Sequence, residues 1–138
     1  MVTVTYRYQF NYRQLESGPF PLLQFRVSNP DNSELGLDVD AYLDSGAEGS
    51  IFGGHIISAL GLELLNDRAK DYAPTFGGSL RGYLHRVLLS HPGIGNFNLE
   101  IGFSAEPIKR NLLGRDFFNL VQVGFRERQL TYYLNPSP

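Results

Sequence analysis

Apolar and polar positions alternate along most of this chain. Val2, Val4, Tyr6, Tyr8 and Phe10 alternate with Thr3, Thr5, Arg7 and Gln9, the period of two expected of a strand with one buried face. Gly18-Pro19-Phe20-Pro21 breaks that run, and residues 22–27 resume it. Asn29-Pro30-Asp31-Asn32-Ser33 carries turn chemistry. Leu35, Leu37, Val39, Ala41 and Leu43 build the next apolar face, with Asp38, Asp40 and Tyr42 opposite, and run straight into Asp44-Ser45-Gly46-Ala47-Glu48-Gly49. Strands are also predicted over 72–76 and 80–89, joined at Gly77-Gly78 as a hairpin. His91-Pro92-Gly93-Ile94-Gly95 reads as a turn, after which Phe97, Leu99, Ile101 and Phe103 alternate with Asn98, Glu100, Gly102 and Ser104. Two more strands, over 121–125 and 129–134, close the series.

Helical spacing is best developed at Ile51, His55, Ile56, Ala59 and Leu60, with Gly61 where a C-terminal glycine belongs. It predicts a helix over 51–60. One or two short helices among eight or so strands make the fold mainly β, a closed or sandwich-like barrel. The chain has 138 residues, the size of one domain, and residues 1–138 carry no internal repeat or linker.

Composition narrows the function classes. Twelve basic residues against fourteen acidic ones give a net charge of -2, so no basic surplus exists to collect nucleic-acid phosphates or anionic lipid, and neither is expected as a partner. The absence of Cys removes disulfides, Cys-ligated zinc, iron–sulfur clusters and thiol catalysis. No apolar run approaches the roughly 20 residues of a membrane helix, and Met1-Val2-Thr3-Val4-Thr5-Tyr6-Arg7 lacks the charged start and apolar core of a signal peptide. A cytoplasmic location is the expectation. His55, His85 and His91 show no metal-ligand spacing, so no metal or cofactor is expected. Gly77-Gly78-Ser79-Leu80-Arg81-Gly82 is followed by a strand rather than a helix, unlike a dinucleotide fingerprint. Ser50 lacks the flanking glycines of a nucleophile elbow.

Asp44 is the candidate that survives. A carboxylate at a strand end, followed by Ser45, Gly46 and Ala47, can be presented in a backbone-lined cleft. Taken by themselves these four residues fit an Asx turn that ends a strand equally well.

The surrounding segment, Ala41-Tyr42-Leu43-Asp44-Ser45-Gly46-Ala47-Glu48-Gly49-Ser50-Ile51, resembles the active-site segment of retropepsin-like aspartic proteases. Leu112-Leu113-Gly114-Arg115-Asp116-Phe117-Phe118 is similar to the second signature of that family, and Phe76-Gly77-Gly78-Ser79 stands in the order of its flap. The resemblance implies a closed acid-protease-type β-barrel and an aspartic endopeptidase acting on peptides or proteins, without metal or cofactor. The family chemistry needs two carboxylates sharing a proton, and Asp-Ser-Gly occurs once. A two-fold homodimer is therefore implied, with Asp44 from each copy at the axis. By the same resemblance Ser45 braces the pair, while Gly46, Ala47, Glu48, Phe76, Gly77 and Gly78 bind an extended peptide. Glu48 is expected to pair with Arg115, which read alone is also a solvated charge at a helix start. Tyr132, Tyr133 and the N-terminal strand are candidate dimer contacts, a core or edge-strand role being equally open. The long stretch between Asp44 and Gly77 and the long tail after Asp116 look more like bacterial and archaeal members than retroviral ones. A non-catalytic dimerisation and peptide-binding module of the same fold is the alternative.

Overall fold

The computed structural model describes residues 1–73 and 79–136. Along the chain follow β1 (Tyr8–Asn11), β2 (Arg13–Leu15), β3 (Gly18–Phe20), β4 (Leu22–Asn29), β5 (Asn32–Leu43), β6 (Ile51–Gly53), α1 (Ile56–Ala59), β7 (Ala69–Tyr72), β8 (Leu80–His91), β9 (Gly95–Ser104), β10 (Asn111–Leu113), α2 (Arg115–Phe118), β11 (Val121–Arg126), a 3₁₀ turn (Glu127–Gln129) and β12 (Thr131–Pro136). The protein is mainly β, with two short helices.

Alternation explains the long strands. Leu23, Phe25 and Val27 of β4 are buried while Gln24 and Arg26 are exposed, and in β9 Phe97, Leu99, Ile101 and Phe103 are all buried. The β4–β5 hairpin turns at Pro30-Asp31, where the Asn29 side chain accepts from the Asp31 N–H at 2.8 Å. The β8–β9 hairpin turns at the expected His91–Gly95 segment, with Gly95 at φ +103°. There the His91 Nδ1 accepts from the N–H groups of Gly93 (3.0 Å) and Ile94 (3.3 Å). From β4 the pairings pass through β5, β10, β6, β9 and β8 and return to β4, with β7 added along β8. A second sheet, β1-β12-β11, packs alongside, and β2–β3 is a separate hairpin.

Two sequence expectations are corrected, and one left open is answered. Residues 51–60 do not form one helix: Ile51–Gly53 is strand β6, and helix is confined to Ile56–Ala59. Ile51 and Phe52 pair in parallel with Gly102 and Phe103, and Leu112 pairs with Ile51 from the other side. This tertiary ladder overrides the local helical spacing. Gly61 does close the helix, at φ +69°. The first strand begins at Tyr8 rather than Val2, because its partner β12 meets it only from Leu134. Val2 is left 90% exposed. Tyr132 belongs to the core: it is fully buried, and its hydroxyl donates to the Leu22 carbonyl at 2.9 Å, tying the small sheet to β4.

The core is aromatic at its centre. Phe117, brought in by α2, meets Phe25 and Phe97 edge to face with centroids 5.7 and 5.4 Å apart, a preferred geometry for ring quadrupoles. Among the described residues no helix is long and apolar enough to cross a membrane.

Candidate active site

Two distant segments meet where β5 and β10 run parallel, Leu43 opposite Leu113. Their ladder continues one step past β5, since the Asp44 N–H donates to the Leu113 carbonyl at 2.9 Å. The chain then turns sharply. Asp44 Oδ1 accepts from the Gly46 N–H at 2.9 Å, and the Ala47 N–H returns to the Asp44 carbonyl at 3.2 Å. One oxygen thus makes the Asx turn, and the half-buried Asp44 lies beside exposed Ser45 and Gly46. A Cβ on Gly46 would stand 3.2 Å from Asp44 Oδ1, so glycine leaves the carboxylate its place.

A buried polar clamp fixes this loop. The fully buried Ser50 hydroxyl donates to Asp116 Oδ1 at 2.7 Å and accepts from the Gly114 N–H at 3.0 Å. The Ser50 N–H donates to Asp116 Oδ2 at 3.0 Å, and the Phe117 N–H to Asp116 Oδ1 at 2.8 Å. The Arg115 N–H closes the clamp on the Ala47 carbonyl at 2.8 Å. Gly114 is required by proximity, because a Cβ there would lie 2.6 Å from the Ala47 carbonyl oxygen and 2.9 Å from the Gly49 backbone.

The expected Glu48–Arg115 ion pair is not formed. Both residues are exposed, and neither enters the ion pairs found among the described residues. Asp116, not Glu48, is the carboxylate that joins the two segments, and Arg115 contributes its backbone. The sequence reading gave Asp116 and Ser50 no role. Their partnership spans 66 positions and leaves no periodic signal, although Asp116 lies inside the second signature.

Asn111 acts at the other end of β10, its Oδ1 accepting from the Gly53 N–H at 2.9 Å and its Nδ2 donating to the Asp40 carbonyl at 3.1 Å. Burial raises the Tyr42 phenol above its usual value, and the nearby Asp44 charge adds to the effect.

A cleft of about 420 Å³ opens beside the loop, lined by Gly46, Ala47 and Glu48 on one side and by Tyr72, Leu80 and Leu112 on the other. Tyr72 lies across glycines: a Cβ on Gly102 would stand 2.3 Å from its hydroxyl, and one on Gly82 2.6 Å from its ring. The Tyr72 hydroxyl donates to the Ser50 carbonyl at 3.1 Å, and burial, followed by the Asp116 charge, pushes its pKa up to about 12. Phe76, Gly77 and Gly78 lie outside the described residues. A larger cavity of about 630 Å³, lined among others by Arg13, Asp40, His55 and Arg110, does not include the Asp44 loop. Among the described residues no group of three His, Asp or Glu side chains is placed to hold a metal ion.

The sequence matches no protein-family model and no curated protein. Solved structures do match. A retropepsin-like aspartic protease from Rickettsia conorii is similar over 100% of both chains, with 13% identity and a TM-score of 0.59. The EIAV protease complexed with the inhibitor HBY-793 is similar over 72% of this chain and 86% of that one, with 15% identity and a TM-score of 0.54. With one partner covered from end to end, the chain has the fold of the retropepsin-like aspartic proteases.

Proposed function

We propose that this chain is an aspartic endopeptidase whose working unit is a homodimer, its ring of strand pairings being the closed acid-protease barrel. One observation carries the reading: the carboxylate of the single Asp-Ser-Gly segment is anchored through one oxygen beside a peptide-sized cleft, on a loop whose tip is exposed. Two such loops meeting about a two-fold axis bring two Asp44 carboxylates together. Like charges at that distance cannot both ionise, so the pair holds one proton. The ionised carboxylate takes a proton from water as it attacks the peptide carbonyl, and the protonated one donates to the carbonyl oxygen. Collapse of the tetrahedral intermediate, with proton transfer to the departing nitrogen, breaks the bond without a covalent enzyme intermediate. Gly46, Ala47 and Glu48 offer backbone groups to an extended substrate, and Ser45 braces the pair.

The test is cleavage of a mixed peptide library from about pH 4 to 7, read by mass spectrometry, with the sedimentation of the chain measured in parallel. Cleavage is expected to disappear in Asp44→Asn, by about a thousandfold or more, and to fall away with dilution below the dimer's dissociation constant. Cleavage that survives the substitution removes Asp44 from the mechanism, and full activity from a monomer removes the dimer. A folded dimer that binds peptides and cuts none at any pH is the peptide-binding module instead.

A further inference from the structure

We propose that Lys70, whose ammonium stands over the Tyr72 ring in the cleft beside Asp44, selects peptides with an acidic side chain, glutamate above all, at the position that rests on Tyr72. The inference depends on reading this cleft as a peptide site and adds the class of substrate it prefers.

Lys70 and Tyr72 share a face of β7, two residues apart, and both line the cleft. The ammonium lies 5.2 Å from the Tyr72 ring centroid and 3.2 Å from where a Cβ on Gly49 would stand. It is therefore held above the cleft floor, and Gly49 has no side chain to cover it. Among the described residues no carboxylate lies within 4 Å of it, whereas the adjoining Asp71 is engaged by Arg81 at 3.5 Å. An ammonium resting on a ring face keeps its N–H donors for an arriving carboxylate. Ile51, Leu80 and Leu112 add apolar wall beneath, which suits the two methylenes of glutamate better than the single one of aspartate.

Glu48 is the other charge on this cleft with no ion-pair partner among the described residues. Its carboxylate disfavours acid beside itself, which confines the preference to the Lys70 end. Successive side chains of an extended peptide point to opposite sides, so one substrate position meets Lys70.

Two measurements separate this inference from the activity it rests on. In the peptide library, glutamate should be enriched about fivefold to tenfold over lysine at one fixed distance from the scissile bond. Lys70→Gln should erase the enrichment, Lys70→Glu should turn it toward lysine, and Glu48→Gln should strengthen it. In parallel, calorimetry on the wild-type chain compares peptides with a hydroxyethylene in place of the scissile amide, carrying glutamate or lysine at that position. Tighter binding of the glutamate peptide, weakened by salt and lost in Lys70→Gln, supports the inference whether or not any bond is cut, and without cutting it is the endopeptidase reading that fails. Cleavage or binding with no acidic bias, or a bias that Lys70→Gln leaves in place, overturns the inference while the endopeptidase stands. Neither cleavage nor binding overturns both.

Discussion

Two cavities among the described residues differ in the opposite sense to their size. The larger one gathers Arg13, Asp38, Asp40, His55, Lys109 and Arg110, but its ion pair, Arg13 with Asp40, is 44% and 41% exposed. Water competes for both partners there, and such pairs hold little. The smaller cleft borders one loop whose supports are out of water: Ser50 is fully buried, and its hydroxyl, the Asp116 carboxylate and the Gly114 N–H satisfy one another. A reacting group needs neighbours that do not move when it changes charge. The difference is one of order, and it is why we propose the chemistry at the smaller cavity.

Substitutions can break that contrast or sharpen it. Gly114→Ala should do the most damage, since its methyl group collides with backbone on two sides. A loss of about 2–4 kcal/mol is expected in urea unfolding, and a variant as stable as the parent would mean that the clamp is loose. Ser50→Ala comes next. It strands a buried N–H and removes a donor to Asp116, at about 1–3 kcal/mol. A double-mutant cycle with Asp116→Ala should show strong non-additivity, and simple additivity would dissolve the network.

A smaller effect belongs to His91, half-buried between the two hairpin strands. Burial lowers its pKa below 6.5, and the neutral ring is the form that accepts from Gly93 and Ile94. The unfolded chain takes up the proton first, so this contribution is complete above about pH 6.5 and is lost as pH falls through the folded value. Melting temperatures at pH 7 and pH 5 should diverge less in His91→Asn than in the parent. Arg13→Ala should change stability least, by about 0.5 kcal/mol or less. A larger loss would show that the exposed cavity is organised after all.

What the sequence made legible follows from how each feature is encoded. Strands β4, β5, β8 and β9 are written in local alternation, and the Asp44 segment is contiguous, so both could be read from neighbouring residues. The Ser50–Asp116 clamp could not, because nothing near Ser50 announces a partner 66 positions away. The helix expected over 51–60 gives way for a related reason: Ile51 and Phe52 answer to β9 and β10 rather than to their neighbours. Glu48 and Arg115 illustrate the opposite error. Their charges are complementary, but the backbone turns that meet between them leave both side chains in water.

The parallel pairing of β5 with β10 also sets a timetable. Asp44 leaves the ribosome before β10, but the carbonyl that holds its N–H belongs to Leu113, and the carboxylate that locks Ser50 belongs to Asp116. Contacts of such long sequence separation form late, after the loop between them has closed. A nascent chain that has not yet exposed β10 has every residue of the Asp44 loop and none of the supports that β10 and α2 supply. The order that these contacts give the loop thus arrives only once β10 and α2 have been made.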